Sequence, residues 1–518
     1  MQQNSEIGTD PITDFPSIDS QRLRVILITV ATTLFLASTG NTIVTTALPK
    51  IVSDLGGLAY ISWVVTAYLL ASTVGAPIAG KLGDMYGRKV VLQFAIGVFL
   101  LGGVICGVAG SMWLLVAGRF VQGMGGGALI VVSMAVVADV LPPRERARAQ
   151  GTLSSVFGLS TVLGPLIGGF LVQTVSWHWI FFVNFPIGVA AFVILTRTLP
   201  SRTDHTPHKM DYMGAALLMI LLSSCVLVAN VAGTIFSWTS LPVLFLLILV
   251  PMALVGFITA ERRAKEPVMP LILFGIRNFQ AANCMNFLVG MAMFGTIAFM
   301  PLFLQIVKHV DPIRSGLYLV AMMLGLIGTS FLGGRFMRST GRYKILPNVS
   351  TAMLAVAMLL LTTLTAHTPL WIIPIMLLFV GIGIGPTMSV GIVSIQTSIP
   401  REHLGVGTAS ANMFRLIGGS IGTSVFGAIF TLGLHEHVAP LLPQVKEIRA
   451  LTGDMVEALD PALQQQVLEG FASALSPVFF VGAAVAAVAC LASLRLIEMP
   501  LGGPAPAGRP AAAQQPAE

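Results

Sequence analysis

The sequence predicts an all-α polytopic membrane protein, and three observations lead to this fold class. Charged residues make up 10% of the 518 residues, against about 25% in ordinary globular proteins. Uncharged runs such as residues 55–80 and 90–118 exceed the roughly 20 apolar residues that one helix needs to cross a bilayer. Polar and apolar residues do not alternate within these runs, as they would in a porin-like barrel. With a mean hydropathy of +0.87, most of the chain is expected to lie in lipid.

Charged turns and Gly or Pro residues divide the chain into fourteen predicted spans. An even number of spans places both termini on the same side of the membrane. The predicted spans are 24–48, 60–80, 90–109, 113–138, 149–174, 177–197, 211–231, 241–260, 279–305, 315–335, 345–366, 370–396, 407–433 and 474–496.

The positions of the basic residues predict which side that is. Most of the 29 Lys and Arg residues fall in segments on the side of the termini, and the opposite side holds Lys50, Lys308, Arg314, Lys446 and Arg449. By the positive-inside rule, both termini are therefore cytoplasmic. The net charge of +7 is explained by this topology, so no nucleic-acid partner is expected.

The sequence lacks the motifs that ATP hydrolysis, metal binding and intramembrane catalysis require. The sequence contains no G-x-x-x-x-G-K-[ST] loop for ATP and no His/Cys cluster with metal spacing. An intramembrane enzyme would need a nucleophile–base or metal pair, and the sequence offers neither. No metal and no cofactor are expected. The four cysteines are scattered through apolar runs, at Cys106, Cys225, Cys284 and Cys490.

One charged stretch between two spans occurs twice. GKLGDMYGRK (80–89) and GRFMRSTGRY (334–343) share their Gly/Gly/Arg framework, but Arg338 stands where the first copy has Asp84. Such a repeat predicts two similar bundles with a site between them. The first copy combines a glycine that lets helices approach closely, a carboxylate, a glycine suited to a tight turn and a planar guanidinium. These groups could form a latch that stabilises one conformation of the protein. The alternative is a basic loop that only sets topology. The predicted latch residues are Gly80, Asp84, Gly87, Arg88, Lys89 and Asp139.

Further motifs complete a resemblance to a known family. The first copy matches G-x-L-x-D-x-x-G-R-[KR], and the other matching stretches are RFVQGMGGG (119–127), GLSTVLGPLIGG (158–169), WHWIFFVNFPIG (177–188), DYMGAALL (211–218) and EPVMPLILF (266–274). Together they resemble the major facilitator superfamily, and within it the fourteen-helix drug:proton antiporters of the EmrB/QacA type. Ser160 replaces a usual Gly and His178 a usual Arg.

The resemblance implies a major facilitator fold of two six-helix bundles plus two extra helices. The expected parts are a cytoplasmic tail (1–23), a first bundle (24–197), two inserted helices with linkers (198–278), a second bundle (279–496) with an outer loop (434–473), and a disordered cytoplasmic tail (497–518).

Arginines within spans are costly unless they face a cavity or a partner. The resemblance gives Arg119 a part in proton coupling, and the alternative is an arginine satisfied by helix-end carbonyls. Coupling could run through Asp139 and Arg119 or through the ionisation of the substrate itself. Arg415 is expected either to contact substrate or to reach the cytoplasmic interface. Relatives usually carry an Asp in helix 1 where this chain has Gly40. None of the 22 acids lies mid-span, and only Asp139 is expected within a helix, near its inner end.

The resemblance also assigns helix 5 a role in sealing the pathway and favouring antiport, although ordinary small-residue packing is the alternative. Its motif residues are Gly158, Gly164, Pro165, Gly168 and Gly169. The substrate cavity is expected to be apolar with a few amides, and packing is again the alternative. The candidate cavity residues are Ser38, Asn41, Thr42, Asn283, Asn286, Met293, Phe294 and Arg415.

The implied function is proton-coupled secondary active export of hydrophobic drugs or toxic small organic molecules by alternating access, not an enzymatic reaction. Two interior arginines without an interior carboxylate favour neutral or anionic substrates. Uptake of an organic anion or vitamin-like solute stays open, as does a sensor or scaffold that no longer transports. The expected setting is a bacterial cytoplasmic (inner) membrane, with substrate, protons and the lipid bilayer as partners of a monomer. Whether an envelope adaptor protein receives the substrate stays open.

Overall fold

The computed structural model describes residues 19–56, 61–199, 210–232, 236–442, 456 and 459–501. Within these residues the chain folds into fourteen long helices and no strand. The helices are α1 (Ser20–Thr42), α2 (Ile61–Tyr86), α3 (Arg88–Gly107), α4 (Met112–Val140), α5 (Pro143–Thr174), α6 (Asn184–Thr198), α7 (Tyr212–Val231), α8 (Leu241–Arg263), α9 (Arg277–Leu302), α10 (Pro312–Thr340), α11 (Ile345–Leu361), α12 (Ile372–Ser398), α13 (Leu404–His437) and α14 (Pro461–Leu494).

The predicted fold class is confirmed. Each of the fourteen predicted spans corresponds to one of these helices, and thirteen are long and apolar enough to cross a membrane. The remaining helix, α11, is apolar but only 17 residues long. We call the face where α1 begins and α14 ends the terminal face.

Helix ends follow local side-chain signals. Asp211 and Asp311 each accept a hydrogen bond from a backbone N–H in the first turn of α7 and α10, at 2.9 and 3.0 Å. Such caps satisfy donors that have no partner within the helix. The two repeated loops turn at equivalent glycines, Gly87 with φ of +89° and Gly341 with φ of +70°. A side chain at either position would be strained, which explains why both copies place glycine there.

Three predicted segments differ from the structure in their boundaries. The outer loop is shorter than 434–473, because α13 continues to His437 and α14 begins at Pro461. Parts of that loop, residues 443–455 and 457–458, lie outside the described residues. The first helix begins at Ser20, inside the predicted tail. The segment 497–501 belongs to the predicted disordered tail but packs against the terminal face, where Leu501 is 1% exposed; residues 1–18 and 502–518 lie outside the described residues.

Helix packing repeats with an offset of eight helices. In the first half, α1 packs against α4, α5 and α6, and α4 against α2 and α3. In the second half, α9 packs against α12, α13 and α14, and α12 against α10 and α11. The contacts between the halves follow the same symmetry, since α2 meets α13 and α5 meets α10. We call α1–α6 the first bundle and α9–α14 the second bundle.

Glycines bring the packed helices into backbone contact. On α4, a Cβ at Gly123 or Gly127 would overlap the backbone of α2, and on α12 a Cβ at Gly381 or Gly385 would overlap α10. Both pairs have the small-xxx-small spacing that lets helices approach closely in lipid. Glycine also allows close backbone contact between the two bundles. A Cβ at Gly80 would lie 2.7 Å from the Gly405 carbonyl oxygen.

The inserted helices occupy different environments. The α7 helix packs against α8, and it also touches α2 and α13 where the two bundles meet. In contrast, α8 has the highest mean hydropathy of the candidate spans, 2.8, and only 17% of its apolar window is buried. Its side chains are therefore suited to lipid, whereas α7 lies against the bundle interface.

Gly127→Ala should destabilise the protein, while Gly97→Ala should not. The added methyl at 127 would overlap the Ser72 carbonyl oxygen, and such overpacking costs about 1–3 kcal/mol. Gly97 is an exposed mid-helix glycine of α3, and a methyl added there would have no atom within 4 Å, so it is the matched control. Thermal unfolding of the two purified variants measures this difference, and equal midpoints would contradict the glycine-contact account.

Candidate functional site

Asp84 joins the two bundles at the terminal face. It lies near the end of α2, and its carboxylate accepts backbone hydrogen bonds from Gly405 N and Val406 N, both at 3.0 Å. These donors belong to the first turn of α13, where backbone N–H groups lack helical partners and the helix dipole favours an anion. The Asp84 side chain thus caps a helix of the opposite bundle.

Arg88 connects Asp84 to a second carboxylate. It forms an ion pair with Asp84, and its Nε donates to Asp139 at 2.9 Å. The Asp84 and Arg88 side chains are 7% and 9% exposed, while Asp139 is 39% exposed. The three predicted charges therefore meet, and Gly80 lies beside them because its carbonyl accepts from Arg88 at 3.4 Å. Lys89 follows Arg88 in the first turn of α3.

The second copy of the loop also reaches across the interface, which the sequence did not suggest. Arg338 Nε donates to Glu145 in the first turn of α5 at 2.7 Å. The first bundle therefore places a negative charge, Asp84, at the start of α13. The second bundle places a positive charge, Arg338, at the start of α5. The two pairs differ in exposure, since the Arg338 and Glu145 side chains are 45% and 39% exposed. An exposed pair contributes about 0–1 kcal/mol, whereas removing one partner of a buried pair costs about 3–5 kcal/mol because it leaves a buried charge without compensation.

Buried polar side chains close the space between these two contacts. Gln150 of α5 donates to Gln396 of α12 at 3.3 Å, and Gln396 donates to Thr408 of α13 at 2.9 Å. Arg146 donates to the Gln396 carbonyl at 3.3 Å and to the Ala138 carbonyl at 2.6 Å. Gln396 therefore connects helices of both bundles near the terminal face.

The segment after α14 crosses the same face. Glu498 accepts from the backbone N–H groups of Tyr343 and Lys344 at 2.8 and 3.2 Å, and the Leu501 carbonyl accepts from Arg144 of α5 at 2.6 Å. Burial raises the pKa of Tyr343, so its phenol remains protonated and donates to the Ile497 carbonyl at 2.9 Å. This segment links the second bundle to α5.

Arg119 is fully buried and holds carbonyl groups of two neighbouring helices. It donates to the Gly40 carbonyl of α1 at 2.7 Å and to the Val64 carbonyl of α2 at 3.2 Å. Its guanidinium carbon lies 4.2 Å from the centre of the Tyr68 ring. Asp139 is 20 residues away on the same helix, a distance of about 30 Å. Arg119 and Asp139 therefore do not contact each other, because about five turns of one helix separate them, and their part in proton coupling stays a prediction.

The helix-5 motif packs against the polar strip of α1. A Cβ at Gly164 would overlap Thr42, and a Cβ at Gly168 would overlap the backbone at Ile43. Ser160 donates to Ser38, and Thr42 donates to the Ser160 carbonyl at 3.3 Å. Ser38 and Thr42, predicted to line a cavity, are thus used in packing α1 against α5.

The remaining residues of the helix-5 motif, and Asn41 of α1, have different surroundings. Gly158 contacts α10, since a Cβ there would lie 2.8 Å from Ile327, whereas Gly169 has no atom within 4 Å of such a Cβ. Pro165 lies inside α5. Asn41 is half-buried, and its side-chain oxygen has no partner within the described residues.

Hydrogen-bond donors without partners gather where α9 and α13 pack together. Asn283 and Asn286 of α9 and Asn412 of α13 each keep an unpartnered Nδ2, as judged within the described residues, and Arg415 keeps an unpartnered Nε. Ser410 donates to Asn283 at 3.3 Å, and Arg415 donates to Asn412. Donors in this region therefore exceed acceptors.

Arg415 points at the first bundle. It is 5% exposed, and its guanidinium carbon lies 5.2 Å from the ring centre of Phe157 on α5. Arg415 was expected either to contact substrate or to reach the cytoplasmic interface, and a buried side chain that faces α5 does not fit the second expectation. Met293 is 1% exposed and belongs to the core of the second bundle, whereas Phe294 is half-buried.

The expectation that only Asp139 lies within a helix was wrong. Asp84 is part of α2, and Glu261 is part of α8, which extends beyond its predicted end. Glu261 is 4% exposed and accepts from Val268 N at 3.0 Å. The described residues contain no group of three His, Cys, Asp or Glu side chains that could hold a metal ion.

Sequence reasoning missed the residues that complete the interface. Gly405 and Glu145 belong to helices far along the chain from the loop copies that they contact, and Gln396 joins α12 to α5 and α13. The sequence carries one usable signal: PRE (143–145) and PRE (400–402) each begin a helical segment that faces a copy of the repeated loop.

Comparisons with known proteins agree with this architecture. The profile of the Major Facilitator Superfamily matches residues 30–423. The multidrug transporter protein MdtP of Bacillus subtilis is 37% identical over 412 residues, which cover 79% of this chain and 76% of MdtP. An uncharacterized MFS-type transporter, Rv1877 of Mycobacterium tuberculosis, is 36% identical over 492 residues, or 94% of this chain and 71% of that protein.

A solved structure shows the same fold at low sequence identity. The proton:xylose symporter XylE superposes with a TM-score of 0.64 at 13% identity, over 92% of this chain and 97% of XylE. The family profile covers more than half of the chain, and the relatives match most of its length. The chain is therefore a multi-pass membrane transporter, not an enzyme, and it belongs to the major facilitator superfamily.

Proposed function

We propose that this transporter exports hydrophobic small organic molecules by alternating access, in exchange for protons. The similarity to a multidrug transporter supports export, and for that reason uptake of a vitamin-like solute is the less favoured alternative. The observation that carries the mechanism is the Asp84 carboxylate, which the second bundle's own backbone binds. An interaction between the bundles can stabilise one conformation only if the other conformation breaks it.

The terminal face is proposed to be cytoplasmic, because most of the basic residues lie on that side. In the described residues, the hydrogen bonds between the two bundles extend from this face to Ser155, which donates to the Ile327 carbonyl at 3.0 Å. The conformation is then one that is closed to the cytoplasm. Opening it would separate α2 from α13 and α5 from α10, and would break the Asp84 and Arg338 contacts together.

The proposed substrates are neutral or anionic. The unpartnered donors of Asn283, Asn286, Asn412 and Arg415 suit a ligand that supplies acceptors, and Arg415 supplies a positive charge. Cationic substrates would bring a second positive charge next to Arg415 in a buried setting. That arrangement is unfavourable without a carboxylate to compensate.

Proton coupling is proposed to involve Asp139, with Arg119 as a positioning residue. Asp139 is the more exposed of the two latch carboxylates, and both of them pair with Arg88. A proton on Asp139 would therefore remove one of the two ion pairs that position Arg88 beside Asp84. Arg119 would fix α1 and α2 through the Gly40 and Val64 carbonyls. A proton that crosses about 100 mV supplies about 2.3 kcal/mol, enough for roughly fifty-fold accumulation.

The proposed setting is a bacterial inner membrane, with both termini in the cytoplasm and the protein acting as a monomer. An envelope adaptor protein would then be an optional partner on the opposite side. Transport in inverted vesicles tests the proposal as a whole, with an imposed pH gradient and a panel of neutral, anionic and cationic dyes. We expect neutral or anionic dyes to dissipate the gradient. Dissipation by cationic dyes alone would contradict the substrate class, and no dissipation with net uptake by whole cells would contradict export.

Asp84→Asn should lower transport far more than Arg338→Gln. The variant loses the buried ion pair with Arg88 and keeps one side-chain oxygen, instead of two, for the backbone N–H groups of α13. Removing one partner of a buried pair costs about 3–5 kcal/mol. We expect transport to fall at least tenfold, a loss that corresponds to about 1.4 kcal/mol and therefore requires less than half of that cost. Arg338→Gln removes an exposed pair worth about 0–1 kcal/mol and should therefore change transport by less than about fivefold. Initial rates in inverted vesicles measure both.

Asp311→Asn is the control for this comparison, because its pair with Arg314 is exposed and lies on a different loop. It should transport like the parent protein. Equal losses in the Asp84 and Arg338 variants, at matched amounts of folded protein, would show that burial does not distinguish the two contacts.

Arg415→Gln should separate anionic from neutral substrates. The change keeps a hydrogen-bond donor but removes the charge between the bundles, so transport of an anionic dye should fall about tenfold, in line with a charge-assisted hydrogen bond of roughly 1.5–3 kcal/mol. Transport of a neutral dye should change much less. Arg314→Gln, at an exposed side chain, is the control. Equal losses for both dyes would assign Arg415 to packing against Phe157.

A further inference from the structure

A cavity of about 270 Å³ lies between the inserted helix α7 and the two bundles. Val226 and Asn230 of α7 form one wall, α2 contributes Thr73, and α13 contributes Ser420 and Thr423. The volume is just below the roughly 300 Å³ at which ligand pockets usually begin, so it suits a small molecule. This cavity exists because α7 covers the line where α2 meets α13.

Hydrogen bonds hold α7 in this place. Asn230 donates to Ser420 at 2.8 Å, and Ser424 donates to the Ala229 carbonyl. Both contacts join the end of α7 to the middle of α13. Such bonds fix an inserted helix against its neighbour where lipid offers no polar partner. The α7 wall is therefore a built part of the transporter.

The lining is uncharged and presents acceptors. Thr73 and Thr423 donate their hydroxyl protons to carbonyls of their own helices, at 2.8 and 2.9 Å, and Ser420 accepts from Asn230. A hydroxyl oxygen that has donated its proton can still accept a hydrogen bond. The other lining residues are Leu69, Val226, Phe294, Leu416 and Gly419. A charged ligand would lack a counter-ion here, which makes its burial costly.

Phe294 belongs to the same helix as Asn283 and Asn286, whose side chains have unpartnered donors. It lines the cavity, and its ring contacts Gly419, where any side chain would overlap it. Asn286 and Gly290 lie two turns and one turn earlier on the same helix. The cavity and the proposed substrate region thus share the α9 helix.

We propose that this cavity is a lateral binding site for neutral, apolar molecules that carry a hydrogen-bond donor. Substrate that has partitioned into the bilayer occupies it before it enters the space between the bundles. The identity of the ligand as substrate rests on the proposed function, whereas the existence of the site does not. The inserted helices thereby have a role in capture, which two six-helix bundles alone would lack.

Photolabelling of the full-length protein in lipid nanodiscs tests the site. The probe is an octanol that carries a diazirine, which is neutral, apolar and has one hydroxyl donor. We expect saturable adducts on the lining residues of α7 and α13, mapped by mass spectrometry and prevented by excess octanol. Adducts that increase without saturation and spread over the lipid-facing side of α8 would overturn the proposal.

Two variants with matched controls make the result specific to the cavity. Val226→Trp fills it and should reduce labelling at least about tenfold, since an overpacked pocket excludes the probe. Ile220→Trp, on the same helix but 41% exposed, should label like the parent. Thr423→Val removes one acceptor at nearly constant volume and should reduce labelling about fivefold, as expected for one hydrogen bond. Thr259→Val, at an exposed threonine of α8, is its control.

Labelling without a proton gradient separates this inference from the proposed function. Val226→Trp should also raise KM for a neutral dye with little change in kcat. Saturable labelling in a protein that exports nothing would contradict the proposed function and leave the site standing. Export with unchanged KM and unchanged labelling in Val226→Trp would refute the lateral site alone.

Discussion

Close backbone contact at glycines is the constraint on which this structure depends. Helices in a bilayer gain little from burying apolar side chains against one another, because the lipid is equally apolar. Gly123 and Gly127 on α4, and their counterparts on α12, remove the side chains that would keep the helices apart. The dispersion attraction between the closely packed backbones is small for each pair of atoms and large when summed over the surface. The same contact, at Gly80 and Gly405, sets the distance between the bundles.

That distance makes the charged contacts at the interface effective. A side chain at Gly405 would overlap Arg88 and push α13 away from the Asp84 carboxylate. With glycine there, Asp84 replaces water as the acceptor for the first turn of α13 and is shielded from solvent by the helices. Arg338 and Glu145 reproduce the arrangement with exchanged charges, but in a more exposed place where water weakens the pair. One of two symmetric contacts thus dominates because of burial.

The interior of the bundles is rich in donors and poor in carboxylates. Arg119 is satisfied in part by the Gly40 and Val64 carbonyls, and so needs no carboxylate to remain buried. Arg415 lies between the bundles, where it donates to Asn412 and faces the Phe157 ring. Both arginines are therefore compatible with an interior that lacks acids, although only Arg415 lies at the boundary that alternating access would open. The lateral cavity beside α7 adds an uncharged region to this interior, next to the same boundary.

The sequence by itself determined the helices, their number and the repeat. Length and hydropathy decide whether a segment can span lipid, and the copies at 80–89 and 334–343 report the duplication directly. The meeting of the three charges was also predictable, because Asp84 and Arg88 are four residues apart across one tight turn and Asp139 lies near the end of another span. Only the tertiary structure decided that the Asp84 carboxylate accepts from the backbone of Gly405 and Val406. It also decided that Arg338 pairs with Glu145, and that about 30 Å of helix separates Arg119 from Asp139. These outcomes depend on which helices become neighbours, and sequence periodicity carries no information on neighbours far apart in the chain.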